Sequence, residues 1–220
     1  RYYGGPAGFG IATQNDVPMA AKAQVLGQAF LGMQMKCARC HDAPFHSFNQ
    51  KDLFSIAAML ERKPIAVPST STVPKIVGHK PRIEISLKPG ATIVPDWPFR
   101  PTQLSEPVSS DSRTQLAAFI IGVHGDRFAK VLVNRVWQRY FGRGLVEPAD
   151  DWEKIEASHP ALLDWLGREF ILSGFDLKHI ARLIMNSHAY QRQVDPSLTG
   201  ANDIAKRLFA GPARRRMTAE

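Results

Sequence analysis

Residues 126–142 read DRFAKVLVNRVWQRYFG, and their spacing decides what kind of fold to expect. Asp126 is a good helix-capping residue. Phe128, Val131, Leu132, Val136, Trp137 and Tyr140 recur at helical spacing as one apolar stripe, and Gly142 can adopt the left-handed conformation that closes a helix. A stretch of this kind buries one face and wets the other, so it needs partner helices. Candidates lie on both sides. Downstream, Ser158 and Pro160 open a segment with Leu162, Leu163, Leu166 and Phe170 that ends at Gly174, and Asp176 caps another bearing Ile180, Leu183 and Ile184. Upstream, residues 112–121 present Leu116, Phe119 and Ile120.

Closer to the N-terminus, a helix is expected from Asp16 with Pro18 in its first turn, carrying Val25, Leu26, Ala29, Phe30 and Met33. A second begins at Asn49, with Gln50 and Asp52 in its first turn and Leu53, Phe54, Ile56, Ala57 and Leu60 following, and it stops at Pro64. Residues 1–15, rich in glycine and aromatics, read as loop. Residues 63–110 hold nine prolines, which remove backbone donors that helices and inner strands require. They read as an extended linker or lid with at most one short hairpin, in which 82–87 is the candidate strand. The expected fold is therefore mainly α: a helical segment over 1–62, a Pro-rich linker over 63–110 and a helical bundle over 111–220.

Composition narrows the function classes. Of 220 residues 44% are hydrophobic and 22% charged, which excludes a disordered polyelectrolyte, and two cysteines are too few for a disulfide scaffold. No apolar run approaches the roughly 18 residues a spanning helix needs, so no transmembrane segment is expected in this piece. The net charge is +8, but the basic excess is spread along the chain. Its one dense run, Arg214-Arg215-Arg216, sits near the end, so nucleic acid is not an expected partner. The chain starts at Arg1, and the expectation is a piece of a longer polypeptide.

Both cysteines fall in Cys37-Ala38-Arg39-Cys40-His41, the spacing for covalent attachment of a c-type haem. Two thiols one turn apart can add to the two vinyl groups on one edge of a porphyrin, and the adjoining imidazole then lies where it can ligate iron. Other readings compete. A disulfide oxidoreductase expects a strand before the motif, whereas a helix leads in here. Zinc would need four ligands, with Cys37 and Cys40 joined by two of His41, His46 or a more distant histidine. A structural disulfide and two idle thiols complete the alternatives.

A second axial ligand would set the potential of such an iron, and the candidates are Met59, His159 and His188, with His46 and His179 behind them. His46 has too little chain to round the ring easily, Met59 reads first as core filling, and the sixth position can also stay open or take water. Glu147, Asp150, Asp151, Glu153 and Glu156 form an acidic loop. It reads first as a solvated turn pairing with Arg139 or Arg143, and second as a calcium site or a carboxylate pair for hydrolysis.

Residues 29–62, AFLGMQMKCARCHDAPFHSFNQKDLFSIAAMLER, resemble the Cys-x-x-Cys-His domain of unknown function of large exported planctomycete cytochrome-type proteins. Residues 134–152 (NRVWQRYFGRGLVEPADDW), 158–166 (SHPALLDWL) and 175–191 (FDLKHIARLIMNSHAYQ) resemble the planctomycete-specific domain that follows it. The resemblance implies haem attachment at Cys37, Cys40 and His41 and a location in the periplasm or at the cell surface. It also implies a redox partner or further domains of the same polypeptide. Asn134, Arg135, Trp137, Phe141, Gly142, Arg143, Gly144, Asp150, Asp151, His159, Pro160 and His179 match the second pattern without a known role. One departure stands out. The family often has His-Pro-Phe after Cys-His-Asp, but here Ala43 precedes Pro44 and Phe45, which would alter iron ligation if that histidine matters. The expected function is electron transfer by an exported c-type haem protein. The rivals are a haem-free interaction module held by a metal or a disulfide, and a redox-linked enzyme acting on extracellular polymers.

Overall fold

A computed structural model of the chain describes residues 9–10, 13–14, 16–73, 77–79, 83–99, 109–122, 126–153, 155–193 and 207–209. Of the expected loop over 1–15 only residues 9–10, which are helical, and 13–14 are described, and the Arg214-Arg215-Arg216 run lies outside the described residues. The protein is mainly helical, as its periodicity requires. The chain divides into two compact units, residues 1–124 and 125–220.

The first unit is built around α2 (Gln50–Glu61), which packs against α1 (Pro18–Leu26), α3 (Ser112–Ile121), a 3-10 turn at Cys37–Arg39 and a small ribbon. Leu53, Phe54, Ile56, Ala57, Ala58 and Met59 are all buried. A helix that is apolar on most sides has to sit inside, and α2 does. Its start is set by a reciprocal pair: the Asn49 side chain accepts from Asp52 N–H at 3.2 Å, and the Asp52 carboxylate accepts from Asn49 N–H at 2.8 Å. Its end is closed by α3. The Ser112 hydroxyl donates to the Met59 carbonyl at 2.8 Å and Arg113 Nε donates to that of Leu60, so carbonyls of the last turn gain partners from outside. Asp111 in turn caps α3 through Thr114 N–H and pairs with Arg62 at 2.8 Å.

The ribbon joins β1 (Ile65–Ala66) to antiparallel β2 (Thr92–Ile93), with Ile65 opposite Ile93 and Ala66 opposite Thr92. The expected strand at 82–87 does not form over its described residues, 83–87. Their backbone is engaged elsewhere: Glu84 C=O accepts from Asp42 N–H at 2.9 Å, and Leu87 N–H donates to the Gln50 side chain at 3.4 Å. The described parts of the Pro-rich stretch also bury apolar groups. Val67, Ile93 and Trp97 are buried, and Trp97 stacks on Phe119 of α3 with ring centroids 5.5 Å apart. A stretch that contributes core in this way packs as part of the first unit.

The second unit packs α4 (Asp126–Phe141), α5 (Pro160–Leu172) and α6 (Leu177–Met185) against one another. Their shared core includes Val133, Trp137, Leu145, Trp152, Leu163, Leu166, Phe170, Ile180 and Ile184. Gly142, at φ +79°, closes α4, and Gly174, at φ +69°, closes α5. Gly167 lets α5 approach α4 closely, since a Cβ there would lie 3.0 Å from Lys130 Cγ. The same lysine ties the two helices through Asp164 at 2.7 Å while holding Asp126 at 3.1 Å.

Candidate functional site

A turn of π-helix at Gly27–Leu31 follows α1, Gly32 reverses the chain at φ +60°, and the 3-10 turn Cys37–Arg39 begins five residues later. Ala38, fully buried, pegs that turn to the core. The N–H groups of Cys40 and His41 both point to Cys37 C=O, at 3.2 and 3.3 Å. In this turn Cys37 is exposed, Cys40 is half-buried with its Sγ 4.0 Å from the Thr70 carbonyl, and neither is in a disulfide. His41 is half-buried. Its Nδ1 lies 2.7 Å from the carbonyl of Asp42. A carbonyl only accepts, so Nδ1 is the donor in this contact, and in the neutral ring Nε2 keeps its lone pair for a ligand.

Five polar residues outside the motif, Asp16, Asp42, Gln50, Thr70 and Ser86, hold this turn in shape. The Asp16 carboxylate accepts from Arg39 in the turn and from the Thr70 hydroxyl, bridging three distant points of the chain. Asp42 accepts from Gln50 N–H at 2.9 Å and from the Ser86 hydroxyl at 2.7 Å. Gln50 is wholly buried, and its amide donates to the carbonyls of Arg39 and Ser71, each at 3.3 Å. The Thr70 hydroxyl and the Arg39 guanidinium together hold the Asp16 carboxyl below the usual aspartate range. Burial instead raises Asp52, at the base of the same helix. Asp16 therefore does not cap α1, as its position suggested. Val17 stands at the cap, and Pro18 supplies the first turn.

The remaining candidates are scattered. Met59 is 1% exposed inside the core of the first unit. His159, His179 and His188 belong to the second: His159 stands at the cap of α5 with Nδ1 3.1 Å from the Ser158 hydroxyl, His179 meets Glu169 at 3.3 Å, and His188 is exposed. His46 lies against Phe48 with ring centroids 4.8 Å apart. Among the described residues no group of three or more His, Cys, Asp or Glu side chains is gathered as a metal site would require. That covers Cys37, Cys40, His41 and His46 and the described acidic loop.

In that loop Glu147 does not turn to Arg139 or Arg143. Its carboxylate accepts from Gly144 N–H and from the Gln138 amide, the latter at 3.2 Å, while Arg127 lies over the Trp152 ring at 5.0 Å. No helix among the described residues is long and apolar enough to cross a membrane.

No curated protein and no solved structure matches the chain. Residues 11–64 match the family model PSCyt2, protein of unknown function (DUF1549), and residues 112–220 match PSD1, protein of unknown function (DUF1553). The first match contains the thiol turn and the second contains α4, α5 and α6, and together, in this order, they support the family to which the sequence motifs pointed.

Proposed function

We propose that the chain is an exported c-type haem protein that transfers electrons, with Cys37 and Cys40 as the attachment thiols and His41 as the proximal ligand. One observation carries the reading: an exposed thiol and a half-buried one, one turn apart, stand beside an imidazole whose Nδ1 meets a carbonyl, leaving Nε2 free to bind. The same donor set fits the chemistry of the group. Thiols must be reachable to form thioethers, and a metal-binding histidine ordinarily donates its other ring N–H to fix tautomer and orientation. Phe45, 79% exposed beside the motif, is a large apolar ring that a bound porphyrin or partner would shield. Haem, when bound, supplies the one-electron chemistry.

The chain's own residues do the rest. Arg39, tied to Asp16, and Gln50, tied to the turn's backbone, keep Cys37 and Cys40 on one edge, and Asp42 orients the His41 ring. Met59, His159 and His188 stay as sixth-ligand candidates; of these, Met59 would have to leave the core. Covalent haem attachment in bacteria takes place outside the cytoplasm, which supports a place in the periplasm or at the cell surface, with a redox protein or a further domain as partner. The test is the mass of the purified chain after expression with a haem-attachment system. One covalently held haem per chain, lost in Cys37→Ser with Cys40→Ser, is the expected result. A bare mass refutes the proposal, and stoichiometric zinc or a Cys37–Cys40 disulfide would point to the interaction module.

A further inference from the structure

We propose that the second unit carries a binding groove for a small ligand bearing an oxyanion group, held by Arg143 and Arg207. An open groove of about 480 Å³ runs along the loop that follows α4, bordered by Arg143, Gly144, Glu147, Glu156, Ser158 and Arg207. That is within the range of small-molecule sites.

Its wall is built to hold a shape. Asn134, fully buried, donates to Val146 C=O at 2.9 Å and accepts from Val146 N–H at 3.0 Å, and Ser158 N–H donates to Leu145 C=O at 2.7 Å. Gly144 is pressed so closely on this frame that a Cβ would fall 2.5 Å from Val146 O and 2.8 Å from the Asn134 amide. A rigid loop of this kind keeps Arg143 at the groove.

The charges then select the ligand. Neither Arg143 nor Arg207 has a hydrogen-bond or ion-pair partner among the described residues. Two guanidinium forks with no partner among the described residues, at one groove, match carboxylate, sulfate or phosphate oxygens, which they can take in a bidentate manner. Of the two carboxylates, Glu147 is occupied by Gly144 N–H and Gln138. Glu156 remains, and with Ser158 it suits hydroxyl or amine groups on the same ligand. The ligand class is thus a small polar molecule with one oxyanion, such as a sugar acid or a sulfated or phosphorylated sugar. This inference stands on the second unit alone and does not depend on haem.

Calorimetric titration of the whole chain at low ionic strength with sulfate, phosphate and glucuronate tests it. Saturable binding of at least one is expected, and Arg143→Gln and Arg207→Gln each weaken it about tenfold. Glu156→Gln acts oppositely and tightens sulfate and phosphate, a gain that misfolding would not produce. Preference for glucuronate assigns a carboxylate ligand, and preference for the tetrahedral ions a sulfate or phosphate ester. Heats that never saturate for all three probes, or affinity unchanged in both arginine variants, overturn the proposal.

Discussion

The side-chain amide of Gln50 donates to the carbonyl of Arg39, 3.3 Å away, and so joins the first turn of the central helix to the backbone between the two cysteines. The same amide group reaches Ser71 and Leu87. A single buried residue therefore braces three segments whose only common feature is that they meet here.

Gln50→Ala would leave the Arg39 and Ser71 carbonyls and the Leu87 N–H short of a partner around a hole. A loss of about 3 kcal/mol is expected from urea unfolding, because an abandoned polar group costs more than a hydrogen bond contributes. A loss below about 1 kcal/mol would show that the brace is incidental.

Asp16 gives the site a pH dependence whose sign follows from its partners. The Thr70 hydroxyl and Arg39 hold its folded-state pKa below the ordinary aspartate range. A depressed carboxyl contributes stability above its unfolded pKa and loses that contribution as the pH falls through the folded one. The bridge should therefore hold at neutral pH and release only as the pH falls below the ordinary aspartate range. Carbon-detected NMR titration is expected to find Asp16 titrating below an ordinary aspartate, with Thr70→Val moving it back up. An Asp16 that titrates normally in the intact protein would rule the bridge out.

In the second unit the Asn134 amide and the Val146 peptide satisfy each other completely. Asn134→Ala should cost about 2–4 kcal/mol and Gly144→Ala about 1–3 kcal/mol, the first by orphaning a buried peptide and the second by overpacking. Thermal unfolding followed at the tryptophans is the measurement. Loss from Asn134→Ala with none from Gly144→Ala would mean that the loop relaxes freely around an added methyl group.

The reciprocal cap of Asn49 and Asp52 makes a smaller, local prediction: Asn49→Ala should destabilise the fold by about 1 kcal/mol, while Asn49→Ser retains most of it. Equal stability for the two variants would remove the cap from the account.

What could be read in advance follows the range of the interactions. Helices with their stop signals were legible because the signals are local: Asn49 and Asp176 each cap from their own neighbourhood, and Gly142 and Gly174 end helices where expected. The thiol turn was legible for the same reason, being five consecutive residues. Its supports were not. Gln50 in a helical first turn looks like a solvent-facing residue, and its burial is decided by Ser71 and Leu87, 21 and 37 positions away. Asp16 carried a capping signature but spends its carboxylate on Arg39 and Thr70. The alternation at 83–87 looked like a strand, yet Asp42 and Gln50 claim the backbone groups that a ladder would need.

The brace around the thiol turn has a consequence for the order of events on the ribosome. Every residue that steadies Cys37 to His41 from the C-terminal side, from Gln50 through Thr70 and Ser71 to Ser86 and Leu87, is synthesised after the thiols themselves. For the time it takes to add those last segments, the two sulfurs sit on slack chain, open to whatever chemistry reaches them first.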